Sequence, residues 1–372
     1  MIDTLATSIL PPIEYFQQPA YWQDIPAVLL VTALVVGLLL AAGLVWLLQR
    51  FIVRNGHDAL RALVSLGRSI KLVLGGNVYL RRVARRYPTG SRFLVGRVDR
   101  SHFYGLALTL LVLAFAYVLA LFAGIVEDVV TSDSIVALDH ATAQMIAAWR
   151  GPRLVSVLIW ITSLAEPRVI NALLVVTCLV LWLTQRQYAI AGLLASSAAS
   201  GTFSTLGKLA FQRARPLEAV LLESSYAFPS GHATIAVAFY GFLGYLLIRS
   251  TARWKLRVRV FFATGVLVLL IGLSRIGLGV HYLSDVWAGY LLGTLCLIVG
   301  ITLTEWLSAS GRIVWAGVIT PRRRAVVFAL VLAATAGLVA YASTRSLPAQ
   351  VSLPATMKIQ SFPSWPLRNP EP

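Results

Sequence analysis

"AFPSGHATIAVAFYGFLGYLLIRS", residues Ala227–Ser250, opens as a turn and continues as a helix apolar enough for a bilayer. Pro229 fixes a turn, Ser230 is a favoured N-cap residue and Gly231 lets the backbone come close to another group. Between His232 and Arg249 no residue carries a fixed charge. That length suits a hydrocarbon core of about 30 Å at a rise of about 1.5 Å per residue. The stretch therefore reads as a membrane helix with a histidine at its mouth, an expensive place for an ionisable side chain unless it is used.

Apolar runs of similar character recur at 27–49, 104–126, 168–185, 188–207, 259–277, 284–305 and 324–343. The 168–185 run is the shortest, and 154–164 is too short to cross, so it is expected to be interfacial or re-entrant. The chain of 372 residues is 58% hydrophobic and only 13% charged, with mean hydropathy +0.77. A soluble globular protein does not have this composition. The expected fold class is all-α: a polytopic membrane helix bundle, with a six-helix core plus one N-terminal and one C-terminal span.

The formal net charge of +17 raises the question of nucleic acid. Its distribution answers no. Basic residues gather in Arg50–Arg100, Arg249–Arg259 and Arg312–Arg324, which share one side if the spans alternate. Asp3, Glu14, Asp24, Glu127, Asp128, Asp133 and Asp139 fall on the other. This is the positive-inside pattern, with both termini outside. The surplus charge then serves topology and attraction to anionic lipid, and no nucleic-acid recognition module accompanies it. No positively charged n-region precedes the first apolar run, so a secretory signal of the usual form is not expected. Cys178 and Cys296 sit inside apolar runs and read as small core residues rather than a disulfide framework.

Three zones follow. Residues 1–100 hold one span and a basic segment, in which "NVYLRRVARRYPTGSRF" (Asn77–Phe93) suits an amphipathic helix on the inner leaflet as well as a solvated loop. Residues 101–310 form a six-span unit with short loops. Residues 311–372 add one span and a proline-rich tail, expected to be extended or disordered, with Phe362 and Trp365 as candidate interface contacts.

Ionisable residues meet the outer ends of spans in three places. "KLAFQRARP" carries Lys208, Arg215 and Pro216; the two cations share a face if the helix continues. Alone, they also fit snorkelling anchors. In the opening stretch, Ser230, Gly231 and the free N–H groups of the helix start make an anion site beside His232, or simply a capped helix. "SRIGLGVHYLSD" carries Ser274, Arg275, His281 and Asp285. His281 and Asp285 are i and i+4 and share a face if helical. A carboxylate there can fix the imidazole tautomer and leave the other nitrogen free to act as base or nucleophile. By the alternating topology all three stretches emerge on one face. Cations, helix N–H groups, paired histidines and one carboxylate suit a phosphoryl group. They do not suggest a metal cluster, and no metal or other cofactor is expected.

These stretches resemble, in order and spacing, the three-part signature of the type 2 phosphatidic acid phosphatase (PAP2) superfamily: Lys, six residues, Arg-Pro; Pro-Ser-Gly-His; Ser-Arg, five residues, His, three residues, Asp. Every fixed position is present, and the resemblance covers about residues 104–306. It implies His281 as a nucleophile forming a phosphohistidine, Asp285 orienting it, and His232 as general acid and then base. It also implies phosphate binding by Lys208, Arg215, Arg275, Ser230 and the N–H of Gly231, without a metal.

The resulting expectation is a bacterial-type hydrolase of phosphoric ester or anhydride bonds in the inner (plasma) membrane, its site facing the periplasm or exterior. Its partners are a lipid phosphate and membrane lipids, not nucleic acid. Undecaprenyl pyrophosphate ranks first as substrate, ahead of phosphatidic acid, phosphatidylglycerol phosphate and lipid A phosphates. The alternatives are a lipid phosphotransferase using the same intermediate and a non-catalytic lipid-binding or transport protein. Of the remaining ionisable residues, Arg213, Glu218 and Glu223 read as a solvated loop or a substrate mouth. His57 and His102 read as surface residues, His140 as remote from the motifs, and Glu166-Pro167-Arg168 as a helix cap.

Overall fold

A computed structural model describes residues 27–99, 103–131, 134–148, 150–221, 223–313, 315 and 320–344. Asp3, Glu14, Asp24, Arg100, His102, Asp133 and the proline-rich tail with Phe362 and Trp365 lie outside the described residues. The regular elements of the described residues are helices, with no strand among them. The helices are α1 (Ala27–Gly76), α2 (Val78–Arg86), α3 (Pro88–Val98), α4 (Phe103–Val130, opening with a π turn), α5 (Ser134–Ala148), α6 (Pro152–Ser163), α7 (Pro167–Leu183), α8 (Ala189–Phe211), α9 (Gly231–Ser250, with a π turn at Ala236–Tyr240), α10 (Trp254–Gly277), α11 (Leu283–Ala309) and α12 (Pro321–Ser343).

Among the described residues, α4, α8, α9, α10, α11 and α12 are each long and apolar enough to cross a membrane. The α6–α7 pair passes only together, bent by 40° at a short break. The run at 154–164 is thus one arm of a bent pair, the geometry of a broken span or of the re-entrant segment expected from its length. Pro167 stands at the start of the second arm, where its missing N–H costs nothing. α4 shows why lipid and not water is the solvent: Leu113 is 60% exposed and Tyr117 67% exposed on a helix with no buried residue between Leu108 and Val130. The protein is an integral membrane protein.

α11 is the central helix, packed against α4, α8 and α9. Glycine makes the closest of these contacts possible. A Cβ at Gly192 of α8 would lie 2.5 Å from the carbonyl oxygen of Gly300 of α11, and one at Gly300 would lie 2.6 Å from that of Gly192. In lipid, where burying apolar surface drives little association, small residues allow the close packing that holds helices together. Polar side chains also join helices across the core; Ser196 Oγ of α8, for example, donates to the carbonyl of Ala238 of α9 at 3.0 Å. Cys178 is half-buried and Cys296 buried, both as free thiols.

The N-terminal zone differs from the sequence expectation in two ways. The helix that holds the first apolar run continues past residue 49, since α1 runs unbroken to Gly76. No proline falls between Pro26 and Pro88, so the loss of apolar character changes the helix's surroundings without ending it. The segment Asn77–Phe93 is two helices rather than one, divided at Tyr87 by Pro88. α1 also docks on the core: Trp254 Nε1 of α10 donates to the carbonyl of Ile52 at 3.3 Å, and the exposed His57 meets the Trp254 ring edge-on.

Candidate active site

The ends of α8, α10 and the starts of α9 and α11 meet at one end of the bundle, and every site residue named from the sequence lies there. Arg249, Arg257 and Arg312 belong to the opposite end. There Arg249 pairs with Glu305 at 2.8 Å, and Arg186 donates to Ser250 Oγ at 2.7 Å.

Lys208 and Arg215 converge, but not along one helix face. α8 ends at Phe211, and Gln212 takes a left-handed conformation (φ +46°) that turns the chain. Both side chains then reach Ser225: Lys208 Nζ donates to its Oγ at 2.8 Å, and Arg215 Nη2 donates to the same oxygen at 3.0 Å. Arg215 Nη1 also donates to the carbonyl of Val280 at 2.5 Å and stands 3.3 Å from His281 Nε2.

Ser230 occupies the N-cap position of α9, yet its side chain makes no cap hydrogen bond. Its Oγ is buried and has no partner. The cap position instead serves the frame: the Ser230 N–H donates to the carbonyl of Asp285 at 3.0 Å, joining the second motif to the third. Gly231 is not forced by packing, since an added Cβ would meet Ser204 Oγ at 3.6 Å, an ordinary contact. Gly289 of α11 is different, because a Cβ there would sit 2.7 Å from the Ser230 carbonyl oxygen.

His281 precedes α11 and is not helical; Gly279, with φ +66°, makes the turn that delivers it. Its Nδ1 lies 3.6 Å from Asp285 Oδ2, beyond hydrogen-bond length, and has no partner. Asp285 Oδ2 accepts the N–H of Tyr282 at 2.8 Å. The pair is therefore brought together by the turn before the helix and not by a shared helix face. Burial, then the charges of Arg275, Arg215 and Lys208, hold the His281 imidazole well below its usual pKa, so it is neutral at pH 7.

Sequence reasoning left four residues aside that the structure brings into or next to the site. Glu223 lies between the cations: it pairs with Arg215 Nη2 at 2.8 Å and receives a short hydrogen bond from Arg275, a side chain only 1% exposed. Burial favours its neutral form, but Arg275 and Arg215 outweigh that and keep it ionised. Arg213 and Asp139 form a buried ion pair behind Asp285, and His140 packs edge-on against Tyr282 at 5.1 Å. Glu218 contributes only its carbonyl, which accepts from Arg150. Glu166 occupies the N-cap position of α7 without capping it, and its carboxylate accepts from Tyr341 of α12.

A cleft of about 810 Å³ runs between α7 and α8 and ends at Lys208, Gly231 and His232. Its walls are apolar or small, with Ile170 and Leu174 on one side and Ala198 and Gly201 on the other. Among the described residues no three His, Cys, Asp or Glu side chains are grouped to hold a metal ion. Neutral imidazole, a carboxylate behind it, a ring of cations and an apolar approach together form a site that can receive an anionic headgroup carried on a hydrocarbon tail.

Residues 189–309 match the family model described as PAP2 superfamily. This segment contains all three motifs, so the resemblance read from them holds there. The chain is 41% identical over 86 residues to phosphatidylglycerophosphatase B of Bacillus subtilis (strain 168), an alignment covering 23% of this chain and 42% of that protein. The chain thus spans less than half the length of this curated relative. Two crystal structures are also similar. One is the first transmembrane PAP2 type phosphatidylglycerolphosphate phosphatase from Bacillus subtilis (28% identity, TM-score 0.46, 53% of this chain and 96% of that one). The other is Aquifex aeolicus LpxE (23% identity, TM-score 0.35, 44% of this chain and 94% of that one).

Proposed function

We propose that this protein is a membrane lipid phosphatase that hydrolyses a lipid phosphomonoester or pyrophosphate through a phosphohistidine. The observation that carries the reading is the position of His281. It is a neutral, buried imidazole with Asp285 at Nδ1 and the Arg215 guanidinium 3.3 Å from Nε2. Nε2 attacks phosphorus, and the bond from phosphorus to the leaving oxygen breaks. His232, at the end of the cleft, gives that oxygen its proton. Nδ1 keeps its proton, and Asp285 closes on it as positive charge develops, a movement of less than an ångström from 3.6 Å. In the second step His232 takes a proton from water, the water oxygen bonds to phosphorus, and the P–N bond breaks to release phosphate. Lys208, Arg215 and Arg275 hold the phosphoryl oxygens. The unpartnered Ser230 Oγ and the Gly231 N–H at the start of α9 complete the cradle.

The lipid tail lies in the α7–α8 cleft. The positive-inside distribution supports a site on the periplasmic or external face, consistent with a bacterial plasma membrane. The likeness to phosphatidylglycerophosphatase B supports phosphatidylglycerol phosphate alongside undecaprenyl pyrophosphate as substrate. The test is phosphate release from a panel of these lipids, with phosphatidic acid included. His281→Ala is expected to abolish turnover and any acid-labile phosphoenzyme. His232→Ala is expected to cost about 10²–10⁴-fold, less with a good leaving group. Wild-type turnover by His281→Ala would overturn the reading and leave a lipid-binding or transport role. Transfer of labelled phosphate to a second lipid, in place of release, would make the protein a phosphotransferase.

A further inference from the structure

Behind the candidate nucleophile lies a second layer built from residues that none of the motifs fixes. Asp139, on α5, is 1% exposed. Both of its oxygens are used. Oδ1 accepts the N–H of Ser284 at 3.0 Å, and Oδ2 accepts the Ser284 hydroxyl and Arg213 Nη2, the latter at 2.8 Å. Arg213 turns its other nitrogen forward. Nη1 donates to Asp285 Oδ1 at 2.6 Å and to Ser284 Oγ at 2.7 Å. The guanidinium lies over the Tyr282 ring, 4.6 Å from its centre. Burial works against the charge on Arg213, but Asp285 and Asp139 outweigh it and hold the side chain as a cation.

The geometry has a direct consequence for Asp285. This carboxylate is fully buried, and its two oxygens face different tasks. Oδ1 is tied to Arg213, while Oδ2 takes the Tyr282 N–H and points toward His281 Nδ1. Rotation of the carboxylate would break the bond to Arg213, which fixes the direction of Oδ2. Arg213 in turn is held from behind by Asp139, which is anchored to the first turn of α11 through Ser284. Removing Arg213 would leave two buried carboxylates sharing one helix end without the cation between them, an arrangement that charge repulsion and desolvation disfavour.

We propose that Asp139 and Arg213 are positioning residues that clamp Asp285 and, through it, aim the His281 imidazole for attack on phosphorus. This rests on the reading of His281 as nucleophile. The clamp itself touches no substrate, so it should act on the rate of phosphoryl transfer and not on lipid binding.

The test uses the full-length protein in lipid vesicles, with kcat and KM measured for phosphate release. Arg213→Gln and Asp139→Asn should each lower kcat about 10–100-fold, the scale of a reacting group misplaced by up to an ångström, with KM little changed. Arg213→Lys keeps the charge but cannot bridge two carboxylates, and should lose less than Arg213→Gln. The discriminating readout is non-additivity. In an Asp285→Ala background the same substitutions should cost less than about twofold, because the group they act through is gone. Full, multiplicative losses in that background would overturn the proposal, as would a raised KM with unchanged kcat. Should Arg213→Gln fail to fold, the near-isosteric Asp139→Asn and the charge-keeping Arg213→Lys carry the same comparison. His281→Ala separates the two readings. An inactive His281→Ala with an additive clamp removes only the clamp, whereas an active one removes the nucleophile.

Discussion

Gly289→Ala is the smallest change that should disturb the site from outside it. Gly289 lies one turn beyond Asp285 on α11, and an added Cβ would stand 2.7 Å from the Ser230 carbonyl oxygen and 2.9 Å from Ala233 Cβ. Carbon atoms rest about 3.5–4.0 Å apart, so α9 must retreat from α11 by about 0.6 Å or more. The overpacking costs about 1–3 kcal/mol, offset by about 0.5–1 kcal/mol from replacing a helical glycine with alanine. The protein should therefore fold, slightly destabilised. The retreat carries Ser230, Gly231 and His232 with it while His281 stays on the α11 side. At about 10²-fold per ångström of misplacement, kcat should fall about tenfold. Phosphate release in vesicles measures this, with Gly265→Ala of α10, whose Cβ would meet nothing within 4 Å, as the control. A Gly289→Ala enzyme with wild-type kcat would refute the argument that contact between α9 and α11 sets the distance between the two histidines.

Three further outcomes are expected. In the proposed mechanism His281 attacks in its neutral form, and burial, then Arg275, Arg215 and Lys208, lower its pKa. The acid limb of kcat/KM should therefore lie below the ordinary histidine value of about 6.5. Arg215→Gln removes one of those cations and should shift the limb to higher pH; a shift to lower pH would refute the assignment. Gly201→Phe should fill the α7–α8 cleft, where an added Cβ meets nothing within 4 Å. It should raise KM for long-chain lipids and spare a short soluble phosphate ester, whereas equal losses on both would refute a tail-binding cleft. EDTA should leave turnover within about twofold, since a catalytic metal needs about three protein ligands and no such group is found among the described residues.

The helices and the motif residues were legible in the sequence because each leaves a local mark: an apolar run of membrane length, or a charged residue where lipid makes charge costly. How the motif residues meet was less legible. Lys208 and Arg215 converge through the left-handed turn at Gln212, and His281 reaches Asp285 through the turn at Gly279, whereas spacing alone brought each pair together only on the condition of a continuous helix. Glu223 and Arg213 sit in a polar loop, where a buried partner looks like any solvated charge. Asp139 did carry a signal, an ionisable residue inside the apolar "SIVALDHATAQMIAA", but its partner Ser284 lies 145 residues away, too far for any local pattern to show. The apolar run at 27–49 did not show how far α1 extends, because apolarity reports the surroundings of a helix, whereas prolines and caps report its limits.

The hydrogen bond from the Ser230 N–H to the Asp285 carbonyl makes the two histidine-bearing segments a single mechanical unit. Lys208 and the cleft walls belong to α7 and α8, and α7 touches α8 only sparsely. On the proposed function the tail-facing wall therefore lies outside this joined pair, and Lys208 at the end of the cleft links the two. A library that varies Ile170, Leu174, Ala198 and Gly201 changes the shape offered to a tail and leaves the joined pair intact. Retargeting the protein to a new lipid should begin on that wall.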